Sequence, residues 1–256
     1  MASRPIFLPC DSQYQLVREM SVDFLWHAGL APTQKRKNVV ALHEAGKSKG
    51  IWPLLEISTK SEVALGFRLS AFNLKVEMDD GWTIPLESAF QGSKVFQHGG
   101  PYINLYGKSG FDIKKDDRLH TSGPLTGFTF QNMNWELEPK TAFYDWLYLH
   151  AVNRDPELRD ELTSYNGFTD IEFNPERSIN CQARSCALYV SLHRRGVLDA
   201  VIKNRDQFMD ILNRDSFYQP HSAEKRQGTL FHMDQTTIGR TRRSTTTRRK
   251  RREGER

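Results

Sequence analysis

The stretch PLESAFQGSKVF, residues 85–96, decides how the surrounding chain is read. A proline suits the first helical position, where its missing N–H costs nothing, and Glu87 falls in the first turn. The spacing predicts a helix from Pro85 to the break at Gly99, Gly100 and Pro101. On that helix Glu87, Gln91 and Lys94 follow i, i+4, i+7 and share one stripe. Phe90 and Phe96 flank the stripe, and Gly92 and Ser93 interrupt it with small residues. Glycine inside a helix costs about 1 kcal/mol against alanine, so its presence points to close approach by a ligand or another backbone. An acid, an amide and an amine beside rings and small residues are what a pocket for a sugar or base requires.

Upstream, FRLSAFNLKVEMDDGWTIPLE alternates around Asp80-Gly81 and predicts a small hairpin, with Trp82 just past its turn. RPIFLPC reads as a strand, and Thr33 as the cap of a helix with Val39, Val40, Leu42 and Ala45 on its apolar face, ending near Gly46. WPLLEIST reads as a short strand. Residues 107–140 read as a long irregular segment with short strands such as GFTFQNMNW. KTAFYDWLYLHAVNRDPELRDEL predicts one or two helices, capped at Thr141 and restarted at Pro156. FTDIEFNPERSIN reads as a loop, and CQARSCALYVSLHRRG and VLDAVIKNRDQFMDILNR as one helix each.

The net charge of +5 is unevenly placed: Arg240 to Arg256 carries +7, which leaves about −2 for the rest. From Thr236 onward the chain is polar and repeats Thr and Arg, as a disordered tail would. Arg242, Arg243, Arg248, Arg249, Lys250, Arg251 and Arg252 are its candidate contacts to nucleic-acid phosphates, through counterion release; a merely solubilising tail is the alternative. Three cysteines without repeating spacing argue for a reducing compartment and against a disulfide framework. No apolar run approaches a membrane span, and the N-terminus lacks the apolar core of a signal peptide. The composition therefore predicts a soluble, cytoplasmic protein.

HEAGKSKG, residues 43–50, has the end of a phosphate-binding loop but Ala41 where that loop needs glycine, so a helix terminus is the expectation. Cys181 and Cys186, with His150 and His193, lack finger or ribbon spacing and are expected as packing thiols. Asp170, Glu172, Asn174, Glu176 and Asn180 crowd one loop. Turn and cap chemistry explains such a cluster; alternatively, Asp170 or Asn180 reaches the pocket of Glu87.

At these residues the chain resembles the NADAR family, named for association with NAD and ADP-ribose. The family signature is a tryptophan, then Glu-His, then Phe-Gln-small-x-Lys; Trp82, Glu87, Phe90, Gln91, Gly92 and Lys94 match in order. LSAFNL resembles the family's Phe-Ser-Asn-Phe element through Ser70 and Phe72. Ser88 stands where the family has His, and Ala71 at its Asn, with Asn73 nearby. Blocks such as WHAGLAPTQKRKNVVALHEA, GGPYINLY, FYDWLYLHA and FTDIEFNPERSINCQARS, over about residues 20–195, are similar to NADAR antitoxins encoded beside DarT-type toxins.

The resemblance implies a mainly α fold (α+β with small β elements), expected as one domain over 1–235 with a basic tail over 236–256. It implies an N-glycosidase that removes ADP-ribose from guanine in DNA, with ADP-ribosylated DNA and a DarT-type toxin as partners and no membrane, metal or cofactor. An N-glycosidase of riboflavin intermediates, or a non-catalytic binder of ADP-ribosylated nucleic acid or toxin, are the alternatives. Glu87 is expected to do acid/base work. Lys94 is expected to act as a fixed cation or as a Schiff-base amine. Asp170 is a further catalytic candidate. Ser70, Phe72, Asn73, Phe90, Gln91 and Asn180 are expected to bind substrate, with Trp82 or a neighbouring ring stacking a base.

Overall fold

The computed structural model describes residues 1–12, 14–176 and 178–215; the basic tail and its arginines lie outside them. Two long strands open the chain, β1 (Ala2–Ser12) and β2 (Gln15–Phe24), paired as an antiparallel hairpin. Helix α1 (Pro32–Ser48) follows, and then β3 (Leu54–Glu56) and α2 (Ala64–Arg68). The α1 cap is Ala31 with Pro32 at the first helical position, one to two residues before the expected Thr33. The hairpin around Asp80-Gly81 is present as β4 (Lys75–Glu77) and β5 (Thr83–Pro85).

Helix α3 (Leu86–Gly92) is shorter than its sequence suggests. Pro85 is its cap rather than its first residue, and the chain leaves the helix at Ser93 to enter β6 (Lys94–Phe96). Lys94 is therefore not on the helical stripe. The strand wins because β6 pairs with β7 (Leu125–Phe130), Lys94 opposite Phe128, and β7 continues into β8 (Met133–Trp135). Gly92 is not open to a ligand: a Cβ there would lie 2.6 Å from the Tyr106 ring. Residues 107–140 are more regular than expected, holding α4 (Gly110–Lys114) and α5 (Arg118–Thr121) besides β7 and β8.

Helices α6 (Ala142–Arg154) and α7 (Pro156–Leu162) meet end to end at Asp155, whose carboxylate caps α7. Strand β9 (Gly167–Thr169) occupies part of the segment expected as a loop. Helix α8 (Gln182–Arg194) matches its prediction, whereas the single helix expected after it is two, α9 (Leu198–Lys203) and α10 (Arg205–Arg214). Asn204 divides them, its Oδ1 accepting the Asp206 and Gln207 N–H groups as an N-cap.

The result is an α+β domain with several small sheets, in which helices outweigh strands as expected. The main sheet has the order β2-β1-β9-β3, with β9 antiparallel to β1 and parallel to β3. Side chains alternate across β1: Ile6 and Leu8 pack with Val39 and Leu42 of α1, while Phe7 joins the larger core that holds α6 and α8. Helix α1 sits close on the sheet at Gly46, where a Cβ would meet Leu54 and Ile6 side chains at 2.6 and 2.7 Å. Helix α6 is buried on nearly every side, as its aromatic composition demands. Asp145 of α6 meets Arg184 of α8 at 3.2 Å and accepts the Ser185 and Thr141 hydroxyls at 2.6 and 2.7 Å. That buried pair fixes α6 against α8. No helix among the described residues is long and apolar enough to cross a membrane.

Candidate active site

Four segments of the chain meet through one series of hydrogen bonds. Gln91 Nε2 donates to Glu87 Oε1 at 2.9 Å, the i, i+4 contact that the sequence pattern predicts. The Glu87 N–H donates to the Ala71 carbonyl at 2.9 Å. The Ala71 N–H donates to Gln182 Oε1 at 2.8 Å, and Gln182 Nε2 donates to Asp170 Oδ2 at 3.0 Å. The start of α3, the turn after α2, the end of β9 and the start of α8 are thus held in fixed register.

Lys94 joins this group from β6. Its Nζ lies 5.2 Å from the Phe90 ring centroid. Burial pushes the Lys94 amine down to about 8, against a smaller upward pull from the Glu87 carboxylate. The Phe90 ring meets Tyr144 of α6 edge-on, with centroids 5.2 Å apart. Tyr144 is buried, and its hydroxyl is pushed well up, first by desolvation and then by the charges of Glu87, Cys181 and Asp170. Tyr144 is therefore within electrostatic reach of both carboxylates.

Asp170 is buried. Desolvation raises its carboxyl to about 6, opposed by the hydrogen bond from Gln182. It also accepts the Glu172 N–H at 3.0 Å, as in an Asx turn. Asn180 lines a narrow cleft with Phe90, Phe128, Thr141 and Tyr144. Ser70 is fully buried beside this network, and its Oγ makes no hydrogen bond to another described residue.

The remaining predicted residues stand further out. The Asn73 side-chain amide donates to the Phe67 carbonyl and locks the turn that carries Ala71. Phe72 is partly exposed over Gly110. Trp82 is 66% exposed at the end of the β4–β5 hairpin. Ser88, where the family signature has His, is buried; its hydroxyl donates to the Pro85 carbonyl and accepts the Gly107 N–H. Cys181 and Cys186 are buried, and Cys186 Sγ contacts the Tyr148 hydroxyl at 3.2 Å. Tyr144 and Gln182 carry no chemical signature in sequence and were reached only through the fold.

A lysine lowered toward neutrality supplies free amine near pH 7, and a carboxyl raised toward neutrality supplies a proton. Lys94 lies over the Phe90 ring, and Asp170 is tied to the Glu87 segment through Gln182 and the Ala71 backbone. No curated protein matches the chain. The family model NADAR-DarT1, described as the DarT1-associated NADAR antitoxin, matches residues 2–222. The chain is a member of the DarT1-associated NADAR antitoxin family.

Proposed function

We propose that this antitoxin is an N-glycosidic hydrolase that removes ADP-ribose from guanine bases in DNA and so reverses a DarT-type toxin. The observation that carries this reading is the hydrogen-bonded chain from Glu87 to Asp170, with Lys94 beside it. Breaking the bond between the anomeric carbon and the base nitrogen develops positive charge on the carbon and negative charge on the nitrogen. Glu87 stabilises the first or activates water, and the raised Asp170 carboxyl protonates the second. Lys94 attacks the opened sugar aldehyde as a free amine, or holds phosphate as a cation. Gln91, Asn180 and the unpaired Ser70 hydroxyl are donors and acceptors for ribose oxygens. The basic tail, Arg242 to Arg252, holds DNA by its charge.

The Ser88 and Ala71 departures from the family signature are compatible with this reading. The Ser88 side chain is engaged with Pro85 and Gly107 rather than with Glu87, and Ala71 contributes through its backbone. Neither replacement removes a group from the Glu87–Asp170 chain.

The deciding assay incubates the protein with a guanine-ADP-ribosylated oligonucleotide and, separately, with an early riboflavin intermediate, and identifies products by mass. Release of ADP-ribose and the unmodified oligonucleotide is expected. Glu87→Gln should slow release by about 10²–10⁴-fold. Turnover of the riboflavin intermediate alone transfers the same chemistry to a small substrate. Tight binding of the oligonucleotide without any release makes the protein a reader, not a hydrolase.

A further inference from the structure

Glu56 ends β3 inside the protein, 2% exposed. A carboxyl placed there requires compensation, because burying it without partners is costly. Its partners are specific. In the parallel pairing Glu56 lies opposite Thr169, the residue before Asp170. Its Oε2 meets the Thr169 hydroxyl at 2.6 Å, and its Oε1 accepts the Ile171 N–H at 2.9 Å and the Ser58 hydroxyl at 2.7 Å. Glu56 therefore grips the chain on both sides of Asp170. The network continues outward: Thr169 Oγ1 lies 2.8 Å from Nε2 of His43 on α1. His43 and Glu56 line a cleft of about 340 Å³ with Trp52, Leu54, Glu62 and Lys47.

We propose that Glu56 is a positioning residue for Asp170, and that the His43–Thr169–Glu56 chain exchanges a proton between this cleft and the buried carboxyl pair. The proposal rests on Asp170 belonging to the active site. The exchange is balanced. The Thr169 hydroxyl donates to Glu56 Oε2, so the step runs inward: Thr169 gives its proton to an ionised Glu56, takes the Nε2 proton of His43, and His43 takes a proton at Nδ1 from water in the cleft. Reversal restores the start. The groups facing Glu56 are Asp170 from the end of β9, His43 from α1 and the Ser61 region before α2; Glu44, Lys47 and Glu62 share the cleft. Burial and the neighbouring Asp170 both raise the Glu56 carboxyl, to about 8, while burial lowers His43 to about 4. The two carboxyls are therefore both raised and titrate as a pair.

Carbon-detected NMR of side-chain carboxyls in the full chain tests the coupling without activity. Glu56 is expected to titrate far above an ordinary glutamate. Asp170→Asn should lower its midpoint by about 1 unit or more, because a like charge is removed. An unchanged Glu56 midpoint in Asp170→Asn overturns the proposal. The positioning role is read separately in kcat for ADP-ribosyl-oligonucleotide. Glu56→Ala should lose about 10²-fold through a displaced Asp170. Glu56→Gln, which keeps a group of the same shape between Thr169 and Ile171 but carries no exchangeable proton, should restore only part of kcat at pH 7, and full restoration counts against the exchange. Equal loss in both variants counts against it; if Glu56→Ala does not fold, the NMR arm still decides. Coupled titration with no hydrolysis by the unaltered protein would sink the hydrolase reading alone, and hydrolysis with uncoupled titration would sink this one alone.

Discussion

Replacing Lys94 separates two chemistries that the site permits. An ordinary lysine near 10.4 is about 0.04% free amine at pH 7. With the Lys94 amine pushed down to about 8, about 9% is free, a gain of roughly 200-fold in nucleophile. If Lys94 attacks the opened sugar, borohydride should trap a substrate adduct on the intact protein. The trapping rate should rise with pH and level off above about 8. Lys94→Ala should abolish the adduct, and Lys94→Arg should do the same despite keeping the charge, because guanidinium stays protonated. Glu87→Gln provides a sign test. The Glu87 carboxylate raises the Lys94 amine, so removing its charge should lower the midpoint below 8 and speed trapping at pH 7 even as turnover falls. A lysine acting only as a cation gives the opposite record: no adduct, partial function in Lys94→Arg, and activity that declines as pH passes 8. An adduct that persists in Lys94→Ala would refute the assignment outright.

Other perturbations test separate parts of the architecture. Gly92→Ala places a Cβ 2.6 Å from the Tyr106 ring and should destabilise the fold by about 1–3 kcal/mol, read as a lower denaturant midpoint. Glu56→Gln should stabilise the protein at alkaline pH. The folded Glu56 carboxyl is raised to about 8 against an ordinary value near 4.3, so the folded state binds the extra proton and stability falls as pH rises from about 4 to 8. The glutamine variant lacks that loss, and its thermal midpoint should exceed that of the unaltered chain more at pH 8 than at pH 5. Deleting residues 236–256 should weaken binding to unmodified DNA and flatten its salt dependence, measured by titration at several salt concentrations.

Local chemistry was legible in the sequence, and pairing between distant segments was not. The Glu87–Gln91 contact follows from helical spacing alone, and its geometry agrees. Lys94 was expected in the same neighbourhood through a continuous helix, whereas it arrives on β6 by pairing with Phe128, more than thirty residues away. Nothing local to GSKVF announces that partner. The break at Asn204 was available as an N-cap within an apparently continuous amphipathic run. Glu56 carried a usable signal: an acid inside the apolar run LLEI asks for an unusual partner. Gln182 and Tyr144 carried none, since a glutamine at a helix start and a tyrosine in a buried helix are ordinary. Their importance comes from what the fold sets beside them.

The site also poses a protonation problem whose solution is physical. For Asp170 to protonate the leaving base it must hold its proton, and for Lys94 to attack it must have lost one. With the carboxyl raised to about 6 and the amine lowered to about 8, the productive combination peaks near pH 7. At that pH only about one free molecule in a hundred holds it. Desolvation is the main cause of both shifts, and substrate covering the cleft removes more water. Further burial raises the acid and lowers the amine, so both move in the productive direction. The bound substrate's phosphates oppose this for Lys94, because nearby anions favour its charged form. The pH dependence of kcat/KM should therefore show a level top between about 6 and 8, reporting the free enzyme. In the complex a further raised Asp170 lifts that top and moves the acid limb of kcat upward, because the acid limb follows the Asp170 carboxyl when the productive form is the minority one. An acid limb of kcat that stays at about 6 would mean that Asp170 does not lie under the bound substrate, and the leaving-group proton would have to come from elsewhere.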